Sequence, residues 1–319
     1  MSGWRGARVL VTGAASFIGA RLTERLSREG AVVRALTRDP AGAARLKPAL
    51  DGVTVARGDL RDFADALLAT SGVETIFHLA SGPGNRVFVE AHPAQVWENL
   101  RMDANLLRAA AETKSTVVFS SSATVYPRTL RESGQPMSEE KAGPPFDPDS
   151  AFGWAKLTTE RMLSDLSAET GIRTAACRLF SIYGEEAPSE NAVQAWAEQA
   201  LSASPRIELW GGGIQRRSWL HVDDAVDGLL LATKGASPSL TVNLGGEKTA
   251  TVAEMAALIL AAAGSRATPE ARPAVSAGTA HQVADVARAR ALGWAPKVSL
   301  EEGARRVIAW NRSRPQMAR

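Results

Sequence analysis

The run Val9-Leu10-Val11-Thr12-Gly13-Ala14-Ala15-Ser16-Phe17-Ile18-Gly19 constrains the fold more than any other stretch, because it leads from a buried-strand pattern through small residues into a helix. The missing side chains at Gly13 and Gly19 let the backbone turn tightly and let the helix approach the sheet. The helix N-terminus then offers free N–H groups and a partial positive charge to an anion. Such a turn is a cradle for a nucleotide pyrophosphate. Ser16 stands where the middle glycine of these loops usually stands, which weakens the signal taken alone, and an ordinary strand-to-helix connection is the alternative.

Residues 21–30 have helical spacing and stop on Gly30, and residues 31–36 then read as a second strand. A dinucleotide fold that holds NAD tends to place an acidic residue at the end of that strand for the ribose 2′-hydroxyl; here stand Thr37 and Arg38. A hydroxyl and a guanidinium suit a 2′-phosphate, which points to NADP(H) over NAD(H), with a merely solvated Arg38 as the alternative. Residues 53–60 form a third predicted strand, in which Asp59 either accepts from an adenine amino group or caps a helix. A fourth, at 75–81, runs into Ser81-Gly82-Pro83-Gly84, where small residues leave room for a ligand. His78, on so apolar a strand, reads as a satisfied core histidine. A helix at 96–113 carries Asn99, and a fifth strand at 117–119 ends in Ser120-Ser121-Ser122-Ala123-Thr124, a row of hydroxyls where this fold puts its chemistry. Residues 127–148, rich in Pro, Gly and charge, predict a surface loop. Beyond it a helix opens at 152 and continues to about 167, with Phe152 and Lys156 four apart on one face.

Composition narrows the function classes. The 319 residues are 45% hydrophobic and 22% charged, as in a soluble globular protein, and no charge-free apolar run approaches the roughly 20 residues of a membrane span. A cytoplasmic protein is the expectation. The single Cys177 rules out an internal disulfide, and His78, His92, His221 and His281 show no metal-ligand spacing, so catalysis without a metal is expected. A net charge of +3, from 37 basic against 34 acidic residues without a basic block, gives no reason to invoke nucleic acid.

The ordered motifs resemble the extended short-chain dehydrogenase/reductases that act on nucleotide sugars, the group of UDP-galactose 4-epimerase. The resemblance runs through the Thr12 to Gly19 turn, Gly58-Asp59-Leu60, His78-Leu79-Ala80, Asn99, Phe119-Ser120-Ser121-Ser122-Ala123-Thr124-Val125-Tyr126, Arg178-Leu179-Phe180-Ser181-Ile182-Tyr183-Gly184, Arg217-Ser218-Trp219-Leu220-His221-Val222-Asp223-Asp224 and Asn243-Leu244-Gly245-Gly246. It implies an α/β fold, a Rossmann-type doubly wound parallel sheet with a smaller C-terminal substrate lobe. The expected dinucleotide domain is 1–178 with 217–246 returning to it, and the nucleotide-sugar lobe 179–216 and 247–319. The cofactor positions implied are Gly13, Ser16, Phe17, Ile18, Gly19, Thr37, Arg38, Asp59, Leu60, Leu79, Ala80, Ser81, Asn99 and Lys156. Thr124, Ser181 and Arg217 would meet the substrate, Arg217 clamping its diphosphate unless it merely pairs with Asp223. Trp196 and Trp210 could stack on a base, with core packing as the alternative. A homodimer is implied as well.

In the family a serine or threonine, a tyrosine and a lysine carry the proton chemistry. Carried over, Ser122 binds the reacting sugar oxygen and Lys156 holds the nicotinamide ribose and lowers the tyrosine's pKa. The tyrosine's own position is Phe152. A phenol beside a cation is a usable acid or base at neutral pH; a phenyl ring is neither, and the loss typically costs on the order of a hundred- to ten-thousand-fold in rate. Three explanations stand: a Tyr→Phe substitution that traps substrate, a slow or non-catalytic relative, or proton transfer by another group. Neither Tyr126 nor Tyr183 is a natural substitute. With no carboxylate in Ser122-Ala123-Thr124, dehydration ranks below epimerisation and ketone reduction. Thr37-Arg38 tilts the reading to reduction of a 4-keto nucleotide sugar, with 4-epimerisation as the alternative and a catalytically silent dinucleotide-binding regulator as the reading from another class.

Overall fold

The computed structural model describes residues 3–38, 46, 51–82, 86–148, 150–202, 206–235, 238–273 and 281–314. Its backbone alternates strand and helix through the N-terminal half: β1 (Arg8–Thr12), α1 (Phe17–Arg28), β2 (Val32–Thr37), β3 (Val53–Arg57), α2 (Phe63–Thr70), β4 (Thr75–His78), α3 (Glu98–Thr113), β5 (Thr116–Ser122), α4 (Ala151–Thr170) and β6 (Thr174–Leu179), of which α2 and β6 go beyond the sequence expectation. A strand returning late in the chain, β7 (Ser239–Leu244), completes a seven-stranded sheet ordered β7-β6-β5-β4-β1-β2-β3. β1 pairs in parallel with both β2 and β4, so the strand order reverses there, the position at which open parallel sheets bind ligands outside the carboxyl ends of their strands. Val9, Leu10 and Val11 are all buried, as a strand covered on both faces requires. No residue of the edge strand β3 is buried, and Val55 is exposed.

The chain divides into two compact units, residues 1–126, 144–178 and 226–242 against 127–143, 179–225 and 243–319. In the first, Leu10, Ile76, Val117 and Phe119 of the sheet pack with Leu106 and Leu107 of α3 and Leu163 of α4. In the second, α5 (Ala192–Ala200), α6 (Val252–Ala263) and α7 (Leu300–Ser313) supply Val193, Trp196, Met255, Ile259 and Val307 to a separate core. α6 begins in a capping box, the Thr251 hydroxyl taking the Glu254 N–H and the Glu254 carboxylate the Thr251 N–H. No described helix is long and apolar enough to cross a membrane.

Several boundaries differ from the sequence expectation for physical reasons. β4 stops at His78, not at 81, because the Leu79 and Ala80 N–H groups turn to the Thr12 side chain, and β3 stops at Arg57, not at 60, where the Asp59 N–H turns to Asp65 Oδ2 at 2.8 Å. α4 runs on to Thr170, where Gly171 adopts φ +73° and closes it. Residues 127–143 are not an open loop of the first unit. They hold a short helix, Arg128–Ser133, and belong to the second unit, where the Asn243 amide donates to the Met137 and Asp285 carbonyls at 2.7 and 2.9 Å. The returning segment of the first unit is correspondingly shorter, 226–242. Trp196 is core, edge-on to Trp219, whereas Trp210 is 52% exposed and is not.

Candidate active site

The turn after β1 is built by close approach. Gly13 has φ +65°, and a Cβ there would lie 2.8 Å from the Ala80 nitrogen and 2.9 Å from the Leu79 carbonyl carbon. One at Gly19 would overlap the Gly13 carbonyl oxygen. Ser16, the residue in place of the middle glycine, is the N-cap of α1 and accepts from the Gly19 N–H at 3.2 Å. The Phe17 and Ile18 N–H groups, in the first helical turn, have no intrahelical acceptor and are available to an anion.

A buried chain of hydrogen bonds fixes the facing turn. Thr12 Oγ1 accepts from the Leu79 and Ala80 N–H groups at 3.2 and 3.1 Å, which leaves its own hydrogen for His78 Nδ1 at 2.8 Å. His78 Nε2 therefore carries the ring proton and donates to Asp103 Oδ1 at 2.8 Å; Thr159 donates to Asp103 Oδ2 at 2.6 Å. His78 is a satisfied core residue whose two partners lie far away in sequence. On the neighbouring turn Asn99, 3% exposed, accepts from the Gly82 N–H at 2.7 Å, while its Nδ2 has no hydrogen-bond partner among the described residues. A buried amide donor beside a cradle without Cβ atoms fits a dinucleotide. Ser81 is exposed next to it.

At the end of β2, Thr37 is buried and Arg38 exposed. Asp59 is held by Arg61, whose Nε sits 3.0 Å from both carboxylate oxygens and whose backbone N–H donates to Oδ1 at 3.0 Å. The Arg61 hydrogen bonds, with a smaller contribution from Arg38, outweigh burial and hold the Asp59 carboxyl down at about 2. The helix-capping alternative for Asp59 fails, since Asp62 caps α2. Leu60 is buried and its carbonyl accepts from Asn105 at 2.9 Å.

The positions to which the resemblance assigns proton chemistry lie at the end of β5 and in the first turns of α4. Ser122 Oγ accepts from the Thr124 N–H and hydroxyl at 3.2 and 3.0 Å. α4 begins tightly against this turn, because a Cβ on Gly153 would overlap the Thr124 carbonyl oxygen. Phe152 is half-buried in the first turn of α4, and Lys156, 4% exposed, follows one turn later. Lys156 Nζ donates to the Ser120 carbonyl at 2.8 Å and lies 4.4 Å from the Phe119 ring centre and 5.4 Å from that of Phe152. Burial pushes the ammonium's pKa below the ordinary lysine value, against the opposing pull of Asp103 and Glu160. Glu160 is itself bound by Arg178 through two parallel hydrogen bonds of 3.0 and 2.7 Å and takes the Ser121 hydroxyl, and Arg178 donates to the Tyr126 hydroxyl at 3.1 Å. The residue sequence alone did not single out Asp103, Thr159 and Glu160. Their signal was the spacing of Asn99 with Asp103, and of Lys156 with Glu160, four apart on their helices.

Two candidate residues belong to the second unit. Ser181 has φ +42° and donates to Gln282 Oε1 at 3.2 Å. Arg217 lies half-buried on the short strand Arg216–Arg217, between Ala250–Thr251 and His281–Gln282. Asp223, the alternative partner weighed for Arg217, takes Arg306 Nη2 at 2.6 Å.

The profile described as the NAD dependent epimerase/dehydratase family matches residues 9–245. The chain belongs to this family. It is similar to GDP-mannose 3,5-epimerase 1 of Oryza sativa subsp. japonica, 28% identical over 95% of this chain and 81% of that protein. It is also similar to UDP-glucose 4-epimerase of Mycolicibacterium smegmatis, 29% identical over 97% of this chain and 100% of that protein. The solved UDP-glucose 4-epimerase of Thermus thermophilus, a complex with NAD, superposes with a TM-score of 0.86 at 27% identity, covering 96% of this chain and 99% of that one. As a member of the NAD dependent epimerase/dehydratase family the chain has the expected Rossmann-type sheet.

Proposed function

We propose that the chain binds a nicotinamide dinucleotide and a nucleotide-diphosphate sugar and acts as a nucleotide-sugar epimerase with a modified proton relay. The observation that carries this reading is the grouping of Ser122 and Lys156 at the end of β5, in the unit whose Gly13 and Gly19 turn and Asn99 amide fit a dinucleotide. The relatives are named epimerases, which favours epimerisation over the 4-keto reduction read from Thr37-Arg38. When bound, the nicotinamide supplies hydride exchange. Around it, the Phe17 and Ile18 N–H groups hold the pyrophosphate, Asn99 orients the nicotinamide side, Lys156 holds the ribose, and Ser122 with Thr124 binds the sugar oxygen. The resemblance gives Arg217 and Ser181 to the sugar diphosphate.

For the cofactor, Thr37 and Arg38 support NADP(H), whereas the solved relative was seen with NAD. The homodimer implied by the resemblance belongs to the same proposal. The test is incubation of the protein with oxidised or reduced dinucleotide and a panel of UDP-, GDP- and dTDP-hexoses and 4-keto sugars, followed by NMR of products and cofactor absorbance. Epimers without net cofactor change support the reading. Stoichiometric consumption of reduced cofactor favours the reductase. Dinucleotide binding without any sugar product favours the silent regulator.

A further inference from the structure

We propose that Lys156 itself takes and returns the proton of the sugar hydroxyl in this chain, directly or through one water, a role that rests on the epimerase reading above. Phe152 has no hydroxyl, so the relay needs another group with an exchangeable proton. The other ionisable side chains around Lys156 are committed. On β4, His78 uses both ring nitrogens, on Thr12 and Asp103; on α3, Asp103 uses both oxygens, on His78 and Thr159. On α4, Glu160 is bound by Ser121 and by Arg178 of β6, which also holds Tyr126.

Lys156 differs from all of these. Its ammonium is 4% exposed and forms no ion pair with a carboxylate among the described residues, and the acceptor the structure gives it is the neutral Ser120 carbonyl at 2.8 Å. It sits over the Phe152 ring, two residues along β5 from Ser122 at the point where it is bonded. Burial and a neutral acceptor outweigh the pull of the Asp103 and Glu160 carboxylates, which are bonded elsewhere, and favour the free amine, the form in which a lysine accepts a proton. The balanced step follows. As the carbinol carbon loses hydride to the oxidised nicotinamide, the O–H bond breaks, the oxygen electrons close the C=O bond, and the Nζ lone pair takes the proton. On return the ammonium gives that proton back to the oxygen as hydride re-adds to the carbon. Ser122, which accepts from Thr124 twice, keeps its own hydrogen to orient the sugar oxygen.

The test has two readouts on the full chain. In protein carrying 13C-labelled lysine, the Cε resonance of Lys156, assigned by its loss in Lys156→Arg, is titrated without cofactor. It should titrate below the other lysines, and titration together with them overturns the proposal. Turnover of the best nucleotide sugar is then compared in the parent, Lys156→Arg and Phe152→Tyr. The parent's rate should fall as pH falls through the NMR titration, and Lys156→Arg, compared at saturating dinucleotide so that a weakened hold on the ribose does not enter, should lose at least about 100-fold. Unchanged turnover in Lys156→Arg overturns the proposal. A silent parent beside an active Phe152→Tyr overturns it too but leaves the epimerase reading standing. If both bind the dinucleotide and neither turns over any sugar, that reading falls along with it.

Discussion

Lys156 Nζ lies 5.4 Å from the centre of the Phe152 ring, one turn away on α4, and donates to the Ser120 carbonyl at 2.8 Å. The cation thus faces a phenyl ring and a neutral oxygen where the resemblance implies a phenol. On the reading proposed above, the helix, strand and lysine of the proton relay are present and its hydroxyl is missing, so the chemistry turns on that one group.

The cradle tolerates no side chain at its second glycine. In Gly19→Ala the new methyl overlaps the Gly13 carbonyl, and overpacking of this kind costs about 1–3 kcal/mol. The expected outcome is a lower Tm and at least about tenfold weaker dinucleotide binding, since a shift of Gly13 moves the anion-facing N–H groups. Calorimetry and cofactor fluorescence titration check both; wild-type affinity in Gly19→Ala would place the pyrophosphate elsewhere.

Arg38→Ala separates the two cofactors. A charge-assisted hydrogen bond to a 2′-phosphate contributes about 1.5–3 kcal/mol, so the ratio of NADPH to NADH affinity should fall by about tenfold or more. An unchanged ratio would leave Arg38 a solvated cation and NAD(H) the better assignment.

Arg217→Ala should weaken binding of a nucleotide-diphosphate sugar by at least about tenfold while leaving the dinucleotide affinity intact, because its fork of donors suits phosphate oxygens. Isothermal titration with UDP and GDP sugars measures this. Equal affinity in the variant would remove Arg217 from the substrate site.

The second unit carries a pH-sensitive carboxylate. Burial would raise the Glu185 pKa, but hydrogen bonds from His221 at 3.0 Å and Arg306 at 2.7 Å outweigh it and bring the group from its ordinary 4.5 down to about 2. A depressed pKa stabilises the fold above the ordinary value and ceases to do so as pH falls through the folded one. Glu185→Gln should therefore lower Tm at neutral pH, with the difference from the parent shrinking between pH 4.5 and about 2. A Tm difference constant across that window would contradict the assignment.

Local chemistry was legible in the residue string and long-range partnership was not. Gly13 and Gly19 are readable because a tight turn and a close helix approach exclude a side chain, and Phe152 and Lys156 because positions four apart share a helix face. His78 could be read as a core residue, yet Thr12 and Asp103, its partners, lie 66 and 25 residues away. Residues 127–143 look like a surface loop by composition and are instead tied to the second unit by Asn243, 106 residues beyond Met137. The Arg61 clamp on Asp59 is local, but three charges close together leave open which pairs with which.

The most direct measurement is the turnover of Phe152→Tyr against the parent on the same panel of nucleotide sugars. If Phe152 occupies the proton-relay position of an otherwise complete epimerase-type site, the restored hydroxyl raises turnover by about 100-fold or more and moves the acid limb of the pH profile. If Phe152→Tyr binds dinucleotide and sugar as the parent does and is no faster, the relay does not pass through this position.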